Sequence, residues 1–364
     1  MKAEKGTRFV GIDLGKRTYE VAFVDKNNKV TRSNGRTFVA GRQALYRKLR
    51  AGDKVALEAG NLAFTMAKEM EAAVPGIRVY VLNPSQLSII YASMKKTDKE
   101  DSLKLAHILM DYREERLPVV PVPSDKEMHR RKQLSSYYRA QQSRNRFINQ
   151  LHALFVSQGI TTKVKADLAT SESRKAAIEE LTGLEREEAE YLCNYLAICE
   201  GRIQLLEKQM ADEAAGDEVI ERLQSVPGVG PKVSFAFAAH VAPERFENAS
   251  QVSNYLGLVP RVYISGETVR YGRITKRGKG YIRALLVQAA WALVRSKKGG
   301  KLKEQFNYMT IEKSISKKKA IVAIARRLGE MLYTLMKYGT EFEVRQYVPQ
   351  KEESKKLAQL ALGA

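Results

Sequence analysis

The sequence predicts an α/β domain on a mixed sheet, then a helical coiled-coil middle, then a mainly helical C-terminal domain with a helix-hairpin-helix-like motif. Three patterns carry that expectation. Short apolar runs alternate with helical periodicity over residues 8–116. Two long amphipathic stretches follow between 124 and 216. Residues 219–340 then mix glycine-punctuated turns with apolar helical faces, ahead of a polar tail at 341–364.

The first element is Arg8 to Asp13, an apolar run that ends on a carboxylate and is followed by Leu14-Gly15. β-branched and aromatic residues suit a pleated, buried surface. Tyr19, Val21 and Phe23 alternate with Glu20, Ala22 and Val24, Asp25 to Asn28 turns, and Lys29 to Ser33 returns, which reads as a hairpin. Gly41 to Arg50 reads as a short helix, Lys54 to Glu58 as a strand ending on a second carboxylate, Asn61 to Ala73 as a helix, and Ile77 to Leu82 as a strand stopped by Asn83-Pro84. Thr97, with Glu100 three residues later, is a capping box that opens another helix and puts Asp98 and Asp101 on one face.

Four acids thus fall at strand ends and at one helix start: Asp13, Glu58, Asp98 and Asp101. Each has an ordinary explanation alone. Asp13 suits a turn before Gly15, Glu58 a strand end, and Asp98 and Asp101 the positive end of a helix dipole. Together, four converging carboxylates repel one another unless a cation sits among them. Such a hard oxygen set suits Mg²⁺ (or Mn²⁺), and a pair of such ions clamps the two reacting oxygens of a phosphodiester.

Leu117 to Pro123 carries three prolines and reads as a linker. Asp125 to Ser157 is helical, with Leu134, Tyr138, Ile148, Leu151 and Phe155 along one side and Arg130, Arg131, Lys132, Arg139, Arg144 and Arg146 elsewhere. Glu185 to Ala215 is a second long helix with a seam of Leu192, Tyr195, Leu196, Cys199, Ile203, Leu206 and Met210. The pair suggests an antiparallel coiled-coil hairpin. The basic first helix is read as a nucleic-acid backbone contact, although a charged row is also an ordinary solvated face. Tyr137 and Tyr138 fit either base stacking or the seam.

In the C-terminal region, Val226-Pro-Gly-Val-Gly-Pro-Lys resembles a helix-hairpin-helix turn, in which Gly228, Gly230 and Lys232 are candidates for phosphate contact. Tyr255-Leu-Gly-Leu-Val-Pro, Tyr263-Ile-Ser-Gly and Arg270-Tyr-Gly-Arg-Ile-Thr-Lys-Arg-Gly-Lys-Gly follow. The last segment reads as a loop gripping a sugar-phosphate backbone, and Arg261, Arg270, Arg273, Lys276 and Arg277 are the candidates for DNA phosphate contacts. Helices are expected over Tyr281 to Arg295 and Ala320 to Tyr338, and a poorly ordered tail after about Val348. Chemistry alone does not single out Ser265, since Ser-Gly is a common turn and no nearby histidine offers itself as a base.

The order of elements and acids resembles an RNase H-like domain of the RuvC type. More narrowly, Gly-Ile-Asp-Leu-Gly, Leu-Glu-Ala-Gly and Lys-Thr-Asp-x-x-Asp resemble the DEDD transposases of one insertion-sequence family, and the Leu-Gly-Leu-Val-Pro, Ser-Gly and Gly-Arg-Ile-Thr-Lys-Arg-Gly segments resemble that family's C-terminal domain. The resemblance implies a recombinase that cuts and rejoins donor and target DNA, guided by a structured bridge RNA. It implies that Asp13, Glu58, Asp98 and Asp101 hold the metal, that Ser265 is the nucleophile forming a phosphoserine link, and that dimers pair into tetramers. A metal-dependent RuvC-like junction nuclease using activated water, and a non-enzymatic basic RNA-binding protein, remain the alternatives.

Charge agrees with a nucleic-acid partner: Lys plus Arg number 62 against 41 Asp plus Glu, a formal net charge of +21. No apolar run approaches a membrane span, and Met1 to Thr7 is too polar for a signal peptide. The two cysteines, Cys193 and Cys199, fall on one predicted helix and suggest a reducing, cytoplasmic setting. The four histidines lack zinc-ligand spacing.

Overall fold

The computed structural model describes residues 7–343 apart from 61, 91–96 and 267. Lys95 and Lys96 of the Lys-Thr-Asp motif, Asn61 of the expected second helix, and the tail expected after Val348 lie outside the described residues. The chain forms two compact units, Met1–Ser124 and Asp125–Ala364.

The first unit is built on five strands: β1 (Phe9–Leu14), β2 (Thr18–Val24), β3 (Val30–Arg36), β4 (Lys54–Glu58) and β5 (Arg78–Leu82). Their order is β3-β2-β1-β4-β5. β1, β2 and β3 are antiparallel neighbours, whereas β1, β4 and β5 run parallel. The helices are α1 (Val39–Tyr46), α2 (Ala63–Ala73), α3 (Pro84–Ile90) and α4 (Asp98–Asp111). Alternation along the strands feeds two cores. Val10, Ile12, Val55, Leu57 and Val81 pack with Met66 and Met70 of α2, while Ala56 and Leu82 pack with Leu105, Ile108 and Leu109 of α4. Helices on both faces explain why the central strands read as continuous apolar runs. Arg8 closes the base of the sheet through a two-pronged bond to the fully buried Asp53, at 3.0 and 2.7 Å.

The segment read as a linker, Leu117 to Pro123, is instead tied to β5. Val120 N–H donates to Val81 O at 2.7 Å, Asn83 N–H donates to Pro118 O at 2.9 Å, and Val119 bridges Leu82. Proline is compatible with this because the segment lies at the sheet margin, where a missing N–H breaks no inner ladder. α3 was not expected: Asn83-Pro84 stops the strand and also starts a helix, with Asn83 Oδ1 accepting from Ser85 N–H at 3.1 Å.

The second unit comprises α5 (Asp125–Ser157), α6 (Ser171–Ile178), α7 (Gly183–Ala214), α8 (Glu218–Gln224), α9 (Pro231–His240) and α10 (Ala249–Tyr255). Then come a hairpin of β6 (Pro260–Ser265) and β7 (Thr268–Ile274), and α11 (Gly280–Arg295), α12 (Gly300–Asn307) and α13 (Lys317–Tyr338). α5 and α7 pack antiparallel: Arg130 meets Glu213, Tyr137 meets Glu207 and Arg144 meets Glu200. The middle and C-terminal regions, expected as separate domains, share one core, since Leu134, Tyr137, Leu206 and Met210 join the cluster that runs on to Leu335. Tyr195, expected in the seam, is exposed, and Ala189 and Ala214 are buried on α7 instead. Of the basic segment read as a loop from Arg270 onward, the part to Ile274 is instead strand β7, paired with β6 in a hairpin that turns at Gly266 with φ of +57°.

Candidate active site

Asp13 and Glu58 leave the same end of the sheet because β1 and β4 are parallel and in register, with Ile12 opposite Leu57. Asp98 and Asp101 arrive from above on the first turn of α4. Thr97 caps that turn by accepting from Glu100 N–H at 3.3 Å, half of the expected capping box. Two residues that sequence reasoning passed over bring the helix down. Gly11 lies directly under α4, where a Cβ would sit 1.9 Å from Ser102 O and 2.5 Å from Ala106 N. Only glycine permits that approach of backbone to backbone. Arg32 of β3 donates to Lys99 O at 2.7 Å and sits 3.7 Å from Glu100, holding the helix start from the side.

The acids share one electrostatic field. Burial, followed by the charges of Asp98, Asp101 and Glu58, pushes the Asp13 carboxyl up from an ordinary 3.8 to about 6. Lys104 donates to Asp101 at 2.8 Å. Among the described residues no three acidic, histidine or cysteine side chains stand close enough to chelate one ion as they are. The donor set, a half-buried Asp13 with three further hard carboxylates in its field, is chemically suited to a divalent cation.

Ser265 ends β6 at the hairpin tip, exposed, and among the described residues its hydroxyl makes no hydrogen bond. The register puts Tyr263 opposite Arg270 and Ser265 opposite Thr268, so Arg270 shares the serine's face of the ribbon. Arg261, Arg270 and Arg273 are all exposed. Lys276 and Arg277 follow in a turn clamped to the core. Lys276 N–H donates to Gly257 O at 3.1 Å, and the Arg283 guanidinium, another residue not foreseen, donates to Leu256 O, Arg277 O and Gly278 O.

The helical candidates divide. Arg130 is 5% exposed and bound to Glu213 and Asp217 at 2.8 and 2.7 Å, so it is a structural ion pair and not a nucleic-acid contact. Arg144 likewise bonds Glu200 at 2.8 Å and Ala169 O, and Arg131 donates to Ala239 O and sits by Glu127. Lys132 and Arg139 face solvent. Tyr137 is buried and Tyr138 stacks on Tyr281 at 4.3 Å, which removes both from base stacking. Gly228, with φ of +85°, is pressed against the α11 backbone near Ala289 O. Gly230 caps α9 and is open, while Lys232 is paired with Glu207 at 2.5 Å.

Two family models match the chain, and together they cover well over half of it. A DEDD transposase model of the IS110 group matches residues 10–158, the span holding the four acids. A model described as transposase of the IS116/IS110/IS902 family matches residues 220–307, the span holding Ser265. The chain is 29% identical to a probable family 20 transposase of Pseudomonas aeruginosa, over 79% of this chain and 84% of that protein. It is 24% identical to the transposase for insertion sequence element IS1111A of Coxiella burnetii, over 92% and 91%. DEDD transposases depend in general on a divalent metal. Among the described residues no helix is long and apolar enough to cross a membrane. The sheet unit that gathers four acids, the helical unit that carries the basic hairpin, and both family matches lead to one conclusion: the chain belongs to the IS110 family of DEDD transposases, enzymes that act on DNA to move an insertion sequence.

Proposed function

We propose that this transposase cuts and rejoins donor and target DNA through a Ser265 phosphoserine intermediate, with Asp13, Glu58, Asp98 and Asp101 holding Mg²⁺ (or Mn²⁺). The observation that carries the metal site is the Asp13 carboxyl raised to about 6 by burial and by the other three acids. A carboxylate held at that cost is characteristic of a functional site. The strand order β3-β2-β1-β4-β5 supports an RNase H-like, RuvC-type domain as its platform.

The Ser265 hydroxyl gives up its proton as Oγ bonds to phosphorus and a backbone P–O ester bond breaks, and the departing sugar oxygen takes up a proton, so that none is gained or lost overall. Rejoining runs the same steps backwards with a sugar hydroxyl as the attacking group. The metal, when bound, lowers the pKa of the attacking hydroxyl and stabilises charge on the phosphoryl oxygens. Arg270, on the serine's face of the hairpin, neutralises the phosphate under attack. Arg261, Arg273, Lys276 and Arg277 bind neighbouring phosphates, with the Arg283 clamp keeping the last two in place. Lys132 and Arg139 are the helical contacts retained for nucleic acid. The net charge of +21 supports a nucleic-acid partner, and the resemblance to the DEDD insertion-sequence family adds a structured bridge RNA as the guide. Dimers pairing into tetramers, in the cytoplasm, complete the proposal.

The test compares wild type, Ser265→Ala and Asp13→Asn, expressed from the native locus with a target plasmid, with and without Mg²⁺. A covalent protein–DNA adduct on a denaturing gel that disappears in both variants and without metal is the expected result. Cleaved DNA with no adduct, indifferent to Ser265, would replace the serine mechanism with metal-activated water.

A further inference from the structure

Between α5 and the short helical turn Lys165–Leu168 lies a cavity of about 430 Å³, a size suited to a small ligand. The buried Ile148 gives it an apolar lining, with Ala166 beside it. Arg144 is a fixed wall, since it donates to Glu200 at 2.8 Å and to Ala169 O at 2.7 Å. Arg174, only 2% exposed, donates to the same Glu200 at 2.6 Å. Two guanidinium groups thus share one carboxylate, which leaves positive charge here. The Asp167 carboxylate does not cancel it, because it is turned back to accept from Val164 N–H at 2.8 Å. Lys165, exposed, also lines the cavity and has no ion-pair partner among the described residues.

The telling residues are Asn145 and Asn149. They stand one turn apart on α5 and both line the cavity. Among the described residues neither side-chain amide makes a hydrogen bond. Asparagine is a poor helix former, so helix stability does not explain two of them at one place in the middle of α5. Each amide carries one acceptor and two donors, the pattern that meets the N6 and N7 edge of adenine in pairs. Side chains one turn apart start about 5–6 Å from each other, close enough to meet one flat ring.

We propose that this cavity holds one unpaired nucleotide of a structured RNA, adenine in preference to the other bases. Asn145 and Asn149 bond the edge of the base, Ile148 packs on its face, and Lys165 meets its phosphate. Bases of duplex DNA are stacked and paired, whereas a folded RNA offers unpaired bases in its loops and bulges. The proposal deepens the RNA-guided reading above and rests on it; it is separate from the strand-transfer chemistry.

Fluorescence anisotropy of the full chain in EDTA tests it, with two short labelled single-stranded RNAs, an adenine run and a cytosine run. Excess unlabelled duplex DNA occupies the phosphate contacts elsewhere, which are blind to sequence. Wild type should bind the adenine run about tenfold more tightly than the cytosine run. The double variant Asn145→Ala, Asn149→Ala should lose that ratio with an unchanged or slightly raised melting temperature, because alanine is the better helix former. Lys165→Gln should weaken both runs alike and lower the slope of log affinity against log salt by about 0.7. Equal binding of the two runs by wild type, a ratio that survives in the double variant, or a ratio abolished by the duplex DNA would overturn the proposal. A wild type that binds neither run would overturn the RNA-guided reading with it. Loss of the protein–DNA adduct with the adenine ratio intact would count against the serine chemistry alone.

Discussion

Replacing Asp13 by asparagine should make the metal-free protein more stable while removing its activity. The native carboxyl is held at about 6 against an ordinary 3.8, which corresponds to about 3 kcal/mol between its protonation states. Partial exposure screens this to about 1–2 kcal/mol. Because the folded pKa is raised, the favourable contribution is complete below about 3.8 and is lost as pH rises through about 6; at pH 7.5 the ionised group opposes folding in full. Asp13→Asn removes that opposition, so the gain should be largest at pH 7.5 and shrink to about a third at pH 4.5. The assay is urea unfolding in EDTA followed by hydrogen exchange of β1 and β2, because the single tryptophan, Trp291, reports on the other unit. Added Mg²⁺ should then stabilise wild type and leave Asp13→Asn unchanged. A variant less stable than wild type at pH 7.5, or a gap that ignores pH, would refute a strained acid cluster.

Two further outcomes follow from the packing. Gly11→Ala drives a methyl into the α4 backbone, which cannot give way as a side chain would; it should cost about 2–3 kcal/mol and abolish DNA cleavage although no acid is altered, as thermal melts and a cleavage gel will tell. Arg130→Ala strands Glu213 and Asp217, the latter held down at about 2 against its burial by Arg130 and Lys126. It should cost about 3 kcal/mol in urea unfolding read by Trp291, with no change in DNA affinity at equal folded fraction; a stable protein with weakened DNA binding would restore Arg130 as a contact.

What could be read from the residues tracks how local the physics is. β4 and α5 were expected over Lys54 to Glu58 and Asp125 to Ser157, and the structure places them there, because strand alternation and helical periodicity act within a few residues. The fate of the α5 arginines was illegible, since Arg130 finds its acids 83 and 87 positions away. A cation aimed at solvent and one aimed at a distant glutamate look alike in a sequence. The four acids were legible as a set. The glycine that lets their helix descend was on view in the Gly-Ile-Asp run, yet its neighbour, Ser102 O, is far along the chain. Residues 270–274 were read as loop although they complete β7, because Arg270, Gly272 and Arg273 outweighed the strand signal of Tyr271 and Ile274.

The proline-bearing segment tied to β5 has a consequence beyond topology. An outermost strand offers a row of bare amides and carbonyls to any passing unfolded chain, and such rows seed aggregation. β3 guards its margin with a polar, charged sequence, Val-Thr-Arg-Ser-Asn-Gly-Arg. β5, Arg-Val-Tyr-Val-Leu, has no such protection of its own and is shielded by Pro118 to Val120. Cutting the chain at residue 116 would therefore uncover a hydrophobic, adhesive margin and give insoluble material, whereas a cut at 124 would keep the shield in place.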